Sequence, residues 1–201
     1  MHIAQIFDAF YLERQQRDAA ARGQSDKFRM SDAGKCRLMR YWKRQGKPAA
    51  GVPITALRAM QAGIVIHDFL GGVFADSLLN GARASLEGEI QDDHRIGHYD
   101  IWFQSPEQSC LIDLKTVKGK EADYLSKYGK KVKEQHGHQI VSYASLLVPR
   151  PDELHVVYIE RETLTVVLDA TVDYWPRIQD VEYDWTILID AWQMQIEPDA
   201  N

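Results

Sequence analysis

Apolar residues recur at helical spacing over residues 2–21, at Ile3, Ile6, Phe7, Phe10 and Tyr11, until Gly23 interrupts them. A period near 3.6 predicts a helix there. Ser31-Asp32 predicts the start of a second helix, running to about Arg44 and ended by Gly46 and Pro48. A third helix, about Ala56 to Asn80, is long and mostly apolar, with Pro53 or Thr55 near its start and Asn80-Gly81 closing it. The period then changes to two. Strands are predicted over about 85–91, 95–104 and 110–117, the first two joined around Gln91 to His94. Residues 118–133 read as a loop or frayed helix, and Glu134 to Leu147 as a helix stopped by Pro149 and Pro151. Two segments, 153–160 and 164–170, form a hairpin over Arg161-Glu162-Thr163, and a last helix spans about 173–195. The order α-α-α-β-β-β-α-β-β-α predicts a mixed α/β domain, one sheet flanked by helices.

A chain of 201 residues, 45% hydrophobic and 26% charged, suits one well-cored soluble unit. We divide it into an N-terminal helical segment, 1–50, packed on a core of 51–201. No apolar run approaches the roughly 18 residues of a membrane span, and the N-terminus has no signal-peptide core. The two cysteines, Cys36 and Cys110, make no disulfide framework, which fits a reducing, cytoplasmic setting.

Net charge is −5, which argues against a nucleic-acid protein until it is mapped. Between Arg22 and Lys47 lie nine basic residues, among them Arg29, Lys35, Arg37, Arg40 and Lys43, against Asp26 and Asp32 only. A second run holds Lys115, Lys118, Lys120, Lys127, Lys130, Lys131 and Lys133, while the acidic excess sits at the C-terminal end. Such asymmetry suits a phosphate-binding surface, although a lysine run is also an ordinary solvated face.

The chemistry concentrates between Gly97 and Thr116. Asp100 interrupts one apolar strand; Asp113 sits among Leu111, Ile112 and Leu114 on the next, with Lys115 two residues on and therefore on the same face. Carboxylates beside a lysine suit a hard divalent cation plus a positive charge, the requirements for cutting a phosphodiester. A surface aspartate at 100 and a structural ion pair between 113 and 115 are the plain alternatives. His67, mid-helix among apolar neighbours, is either a core histidine or an inward ligand. Gln139 and Tyr143 share a helix face one turn apart. Trp42, Tyr41, Tyr124 and Tyr128 lie among the basic runs and could stack on single-stranded bases or simply pack. No phosphate-binding loop of an ATPase motor is present.

In this order (His67 in an apolar helix, Gly97-x-x-Asp100, Asp113-x-Lys115-Thr116, then Gln139-x-x-x-Tyr143) the motifs resemble the RecB-like branch of the PD-(D/E)XK nuclease superfamily. The resemblance covers roughly residues 55–147. It implies a restriction-endonuclease-like core with an N-terminal helical extension. Metal would be bound by His67, Asp100 and Asp113, with Asp100, Asp113 and Lys115 catalytic. It further implies Mg2+ or Mn2+ as cofactor and a backing or DNA-contacting role for Gln139 and Tyr143. Glu87 or Glu89 takes a supporting role on the strand before Asp100. Arg37, Lys118 and Lys120 are expected to bind substrate. Ser31-Asp32-Ala33-Gly34-Lys35-Cys36-Arg37 with Tyr41-Trp42 is similar to the Ser…Cys-x-Arg…Tyr stretch preceding the core in such nucleases, where some relatives bind an iron–sulfur cluster through four cysteines. Two cysteines cannot, so no cluster is expected and Cys36 is read as a helix-packing residue.

The function expected is a metal-dependent deoxyribonuclease, an exonuclease on DNA ends or single strands in recombination, repair or phage DNA processing. DNA is the expected partner, with a helicase or recombination protein beside it and no membrane; the oligomeric state is left open. A non-catalytic nucleic-acid-binding or scaffold protein on a nuclease fold is the alternative.

Overall fold

The computed structural model describes residues 8–14, 17, 26–47, 51–76, 82–128 and 131–200. Residues 8–14 are helical; the rest of the first predicted helix lies outside the described residues. Next come β1 (Phe28–Arg29), a 3-10 turn (Met30–Asp32), α1 (Arg37–Arg44) and α2 (Ile54–Asp76). The strands β2 (Arg83–Gln91), β3 (Arg95–Gln104) and β4 (Ser109–Val117) follow, then α3 (Lys120–Tyr128) and α4 (Glu134–Leu146). The chain finishes with β5 (Glu153–Glu160), β6 (Val166–Thr171) and α5 (Trp175–Met194). No helix among the described residues is long and apolar enough to cross a membrane.

Six strands make one mixed sheet. β2–β3 and β3–β4 are antiparallel, β4–β5 is parallel, and β5–β6 is antiparallel. Five of the nine residues of β4 are buried and none is exposed, as a central strand covered on both faces requires. On one face α4 and α5 bury Ile140, Val141, Tyr143, Val181, Trp185 and Leu188 against Leu111, Val156 and Tyr158. On the other, Leu70 and Phe74 of α2 pack on Ile101, Leu114 and Ile159.

One irregularity positions the site. The β3–β4 ladder runs from Gln104↔Ser109 only as far as Ile101↔Ile112. Beyond it the strands part, and β1 takes the start of β3 in parallel at Arg95 and Ile96. Ile96 also pairs with Gln91 of β2, so β1 and β4 occupy the same edge of β3, with an opening between them. Asp100 stands at that opening and its Oδ2 accepts the Leu114 N–H at 2.6 Å, in place of a ladder bond.

Several expectations change. The second helix begins at Arg37, because Gly34 takes a left-handed φ of 74° that breaks the segment after one 3-10 turn. A Cβ at Gly34 would also lie 2.8 Å from His138 Nδ1. Cys36 is the N-cap of α1 and is exposed, so it does not pack the helix. Two-residue β1 is too short to show alternation, so periodicity does not predict it. Much of the basic run of 27–47 is paired with carboxylates. Arg37 and Arg40 pair with Asp184 of α5 at 2.7 and 2.5 Å, Lys35 and Lys43 with buried Asp32, and Lys47 with Glu197. Long side chains reach acids far along the chain, which local composition does not reveal.

Candidate active site

Three elements converge at the opening between β3 and β4. α2 carries His67, whose Nδ1 lies 3.7 Å from Asp100 Oδ1. β2 brings Glu87, opposite Asp100, where the β2–β3 ladder skips one pair between Leu86↔Ile101 and Gly88↔Tyr99. Glu87 has a left-handed φ of 48°, a strained conformation for a residue with a Cβ. One ligand atom each of His67, Glu87 and Asp100 lie within 4.8 Å of one another. Glu89 instead faces His98, at 3.5 Å.

Behind this group, β4 supplies Asp113 and Lys115. Asp113 is 2% exposed; its Oδ1 accepts a hydrogen bond from Lys115 Nζ at 2.9 Å. Its Oδ2 lies 2.7 Å from the same nitrogen but is buried without a hydrogen bond. On α4, Gln139 Nε2 donates to the Tyr143 hydroxyl at 2.9 Å, and Tyr143 is 2% exposed. Its ring lies over Gly97, where a Cβ would come within 2.6 Å of Tyr143 Cε1. Only glycine allows that approach, which gives the Gly-x-x-Asp strand its first residue. Tyr143 is thus packed beneath the start of β3, with little of its surface open to solvent.

The electrostatics call for positive charge. Burial pushes the Asp113 carboxyl up to about 6; Lys115 opposes the rise and Asp100 adds to it. Glu87 is raised by burial and then by Asp100. Burial alone would lower His67, but contact with Asp100 holds it above its ordinary value. Burial, then the charge of Asp113, raises the Tyr143 hydroxyl. Oxygen donors with one imidazole and a charge-hungry carboxylate group fit a hard divalent cation.

The other expected residues lie around this centre. Lys118 and Lys120 are exposed just beyond β4. Arg37 is held on Asp184. Tyr41 is buried, and Trp42 donates its indole N–H to Glu197, whereas Tyr124 and Tyr128 of α3 are 62% and 68% exposed with rings 5.6 Å apart. His136 is half-buried, its Nδ1 2.9 Å from the Tyr158 hydroxyl. Glu87's proximity to His67 could not be read from spacing, because its backbone leaves the regular strand.

No family model matches the chain, and no curated protein matches it either. Solved structures do. An alkaline exonuclease, LHK-Exo from Laribacter hongkongensis, is 14% identical, with a TM-score of 0.62 over 89% of this chain and 92% of its own. SSO0001 is 17% identical, with a TM-score of 0.59 over 98% of this chain and 88% of its own. At such identities the likeness is one of fold. The chain shares the nuclease-like fold of these structures, a mixed sheet flanked by helices with a helical N-terminal part.

Proposed function

We propose that the chain is a divalent-metal-dependent deoxyribonuclease that works as an exonuclease on DNA ends or single strands. The observation that carries this is the grouping of His67, Glu87 and Asp100 at the β3–β4 opening, beside the buried Asp113–Lys115 pair. His67, Asp100 and Asp113 would hold Mg2+ or Mn2+, with Glu87 adding charge. When bound, such a cation acidifies water and offsets charge on a phosphoryl oxygen. Lys115 orients the attacking water or takes its proton, its Nζ lying beside the most buried carboxylate of the group. Tyr143 and Gln139 fix the floor beneath Asp113. Lys118 and Lys120, exposed beyond β4, offer cations to the phosphate backbone, and the exposed Tyr124–Tyr128 pair offers ring faces to unstacked bases. A helicase or recombination protein that generates DNA ends is the partner such an activity would use.

End-labelled single- and double-stranded DNA, digested with Mg2+ or Mn2+ and with EDTA, tests the reading. We expect loss of the terminal label, no activity in EDTA, and a fall of about a hundredfold or more in both Asp113→Ala and Lys115→Ala. Wild-type cleavage by both variants would overturn the mechanism. Cleavage of closed circles would replace exonuclease by endonuclease, and binding without cleavage would favour the non-catalytic alternative.

A further inference from the structure

A second group of ligand atoms gathers at the start of β4 and β5. Cys110 pairs in parallel register with Glu153, which sets their side chains next to one another on one face of the sheet. His155 is two residues beyond Glu153 and shares that face. Asp113 and Lys115 are at odd spacing from Cys110 along β4, so they project from the opposite face. Cys110 Sγ, a Glu153 oxygen and a His155 ring nitrogen all lie within 4.8 Å of one another. The imidazole is held at both nitrogens: Nδ1 is 2.8 Å from Asp169 Oδ1 on β6, and Nε2 is 3.2 Å from Glu153 Oε2.

We propose that Cys110, Glu153 and His155 bind a zinc-like transition-metal ion, with Asp169 as the residue that positions His155. One sulfur, one imidazole nitrogen and one carboxylate oxygen make a borderline-soft donor set, which suits Zn2+ and not Mg2+. A neutral imidazole has a single N–H. Donated to Asp169, it leaves the Nε2 lone pair directed at another carboxylate, an arrangement that a cation between them resolves. The spacing fits too. Bonds of about 2.0 Å at tetrahedral angles separate nitrogen and oxygen ligands by about 3.3 Å, against the 3.2 Å seen here. Cys110 is 8% exposed, while half of the Glu153 side chain is open, so the site is closed beneath and open to a fourth ligand from water above. Coordination transfers the thiol proton to solvent and leaves a thiolate on the metal. The ion would clamp β4 to β5 and, through Asp169, to β6. It is chemically distinct from the carboxylate site and does not depend on the nuclease reading.

Cobalt(II) tests this because only a thiolate ligand produces a sulfur-to-cobalt charge-transfer band. The full chain carrying Cys36→Ser keeps Cys110 as its one thiol. Titrated anaerobically, it should develop that band with intense tetrahedral d–d bands, saturate at one equivalent, and lose both on adding Zn2+. Cys110→Ser and His155→Asn should each abolish the band, and Asp169→Asn should weaken binding by about tenfold or more. Asp113→Asn should leave it unchanged, since that site has no sulfur. Should Cys110→Ser fail to fold, the two surface-facing variants, His155→Asn and Asp169→Asn, decide the matter. A folded protein without the band, or a band that survives His155→Asn, overturns the proposal and leaves the nuclease assay unaffected.

Discussion

Lys115 Nζ stands 2.7 Å from one oxygen of Asp113 and 2.9 Å from the other, beneath a sheet surface that leaves the carboxylate 2% exposed. Each group is the other's counter-ion. Lys115→Met strands a buried carboxylate and should destabilise the fold by about 3 kcal/mol, whereas adding Asp113→Asn should restore much of that loss. Denaturant unfolding of both single variants and the double, in EDTA, measures the coupling. Simple additivity would show that the pair is not a unit.

Glu87 combines strain with a place in the carboxylate group. A non-glycine residue at φ 48° costs roughly 1 kcal/mol. Glu87→Gly should therefore raise stability by about that amount while slowing Mg2+-dependent cleavage. Paired melting and cleavage measurements decide; loss of stability together with activity would mean the carboxylate serves folding.

Asp184 neutralises two arginines of α1, and Arg40 is 2% exposed. Asp184→Asn leaves that guanidinium buried without its counter-charge. The expected cost is about 3 kcal/mol, read as a lower denaturation midpoint. The Lys47–Glu197 pair, with both side chains about half exposed, serves as a control whose removal should leave the denaturation midpoint nearly unchanged.

His136 predicts an acid-sensitive segment. Burial first, then the charges of Lys115 and Lys133, lower its pKa to about 4, against an ordinary 6.5. The unfolded chain therefore binds the proton first. Stability contributed by neutral His136 is complete above about 6.5 and is lost as pH falls from there through 4. His136→Gln should flatten the stability profile across that window and leave it unchanged near pH 8. An identical acid slope in the variant would dismiss the assignment.

Much of the fold was legible because period is physical. β3 and β4 came within a residue of their bounds, and the spacing of two between Asp113 and Lys115 was enough to place them together. Gln139 and Tyr143, four apart, meet as a helix dictates. What escaped was set by contacts distant in sequence or by backbone outside the regular classes. Arg37 meets Asp184 147 residues away, joining α1 to α5 by a contact that local composition does not reveal. Glu87 joins His67 only because its strand breaks register. Cys110 and His155 lie 45 positions apart, joined by a parallel pairing that no local pattern announces.

The parallel seating of β1 also bears on how the chain is made. Phe28 leaves the ribosome 67 residues ahead of Arg95, its partner on β3, and the cations of α1 emerge well over a hundred residues before Asp184. Throughout that interval Arg37 and Arg40 are without Asp184, and β1 is without β3. Docking of the N-terminal segment waits for β3 and α5, which bring the partner of β1 and the Asp184 carboxylate.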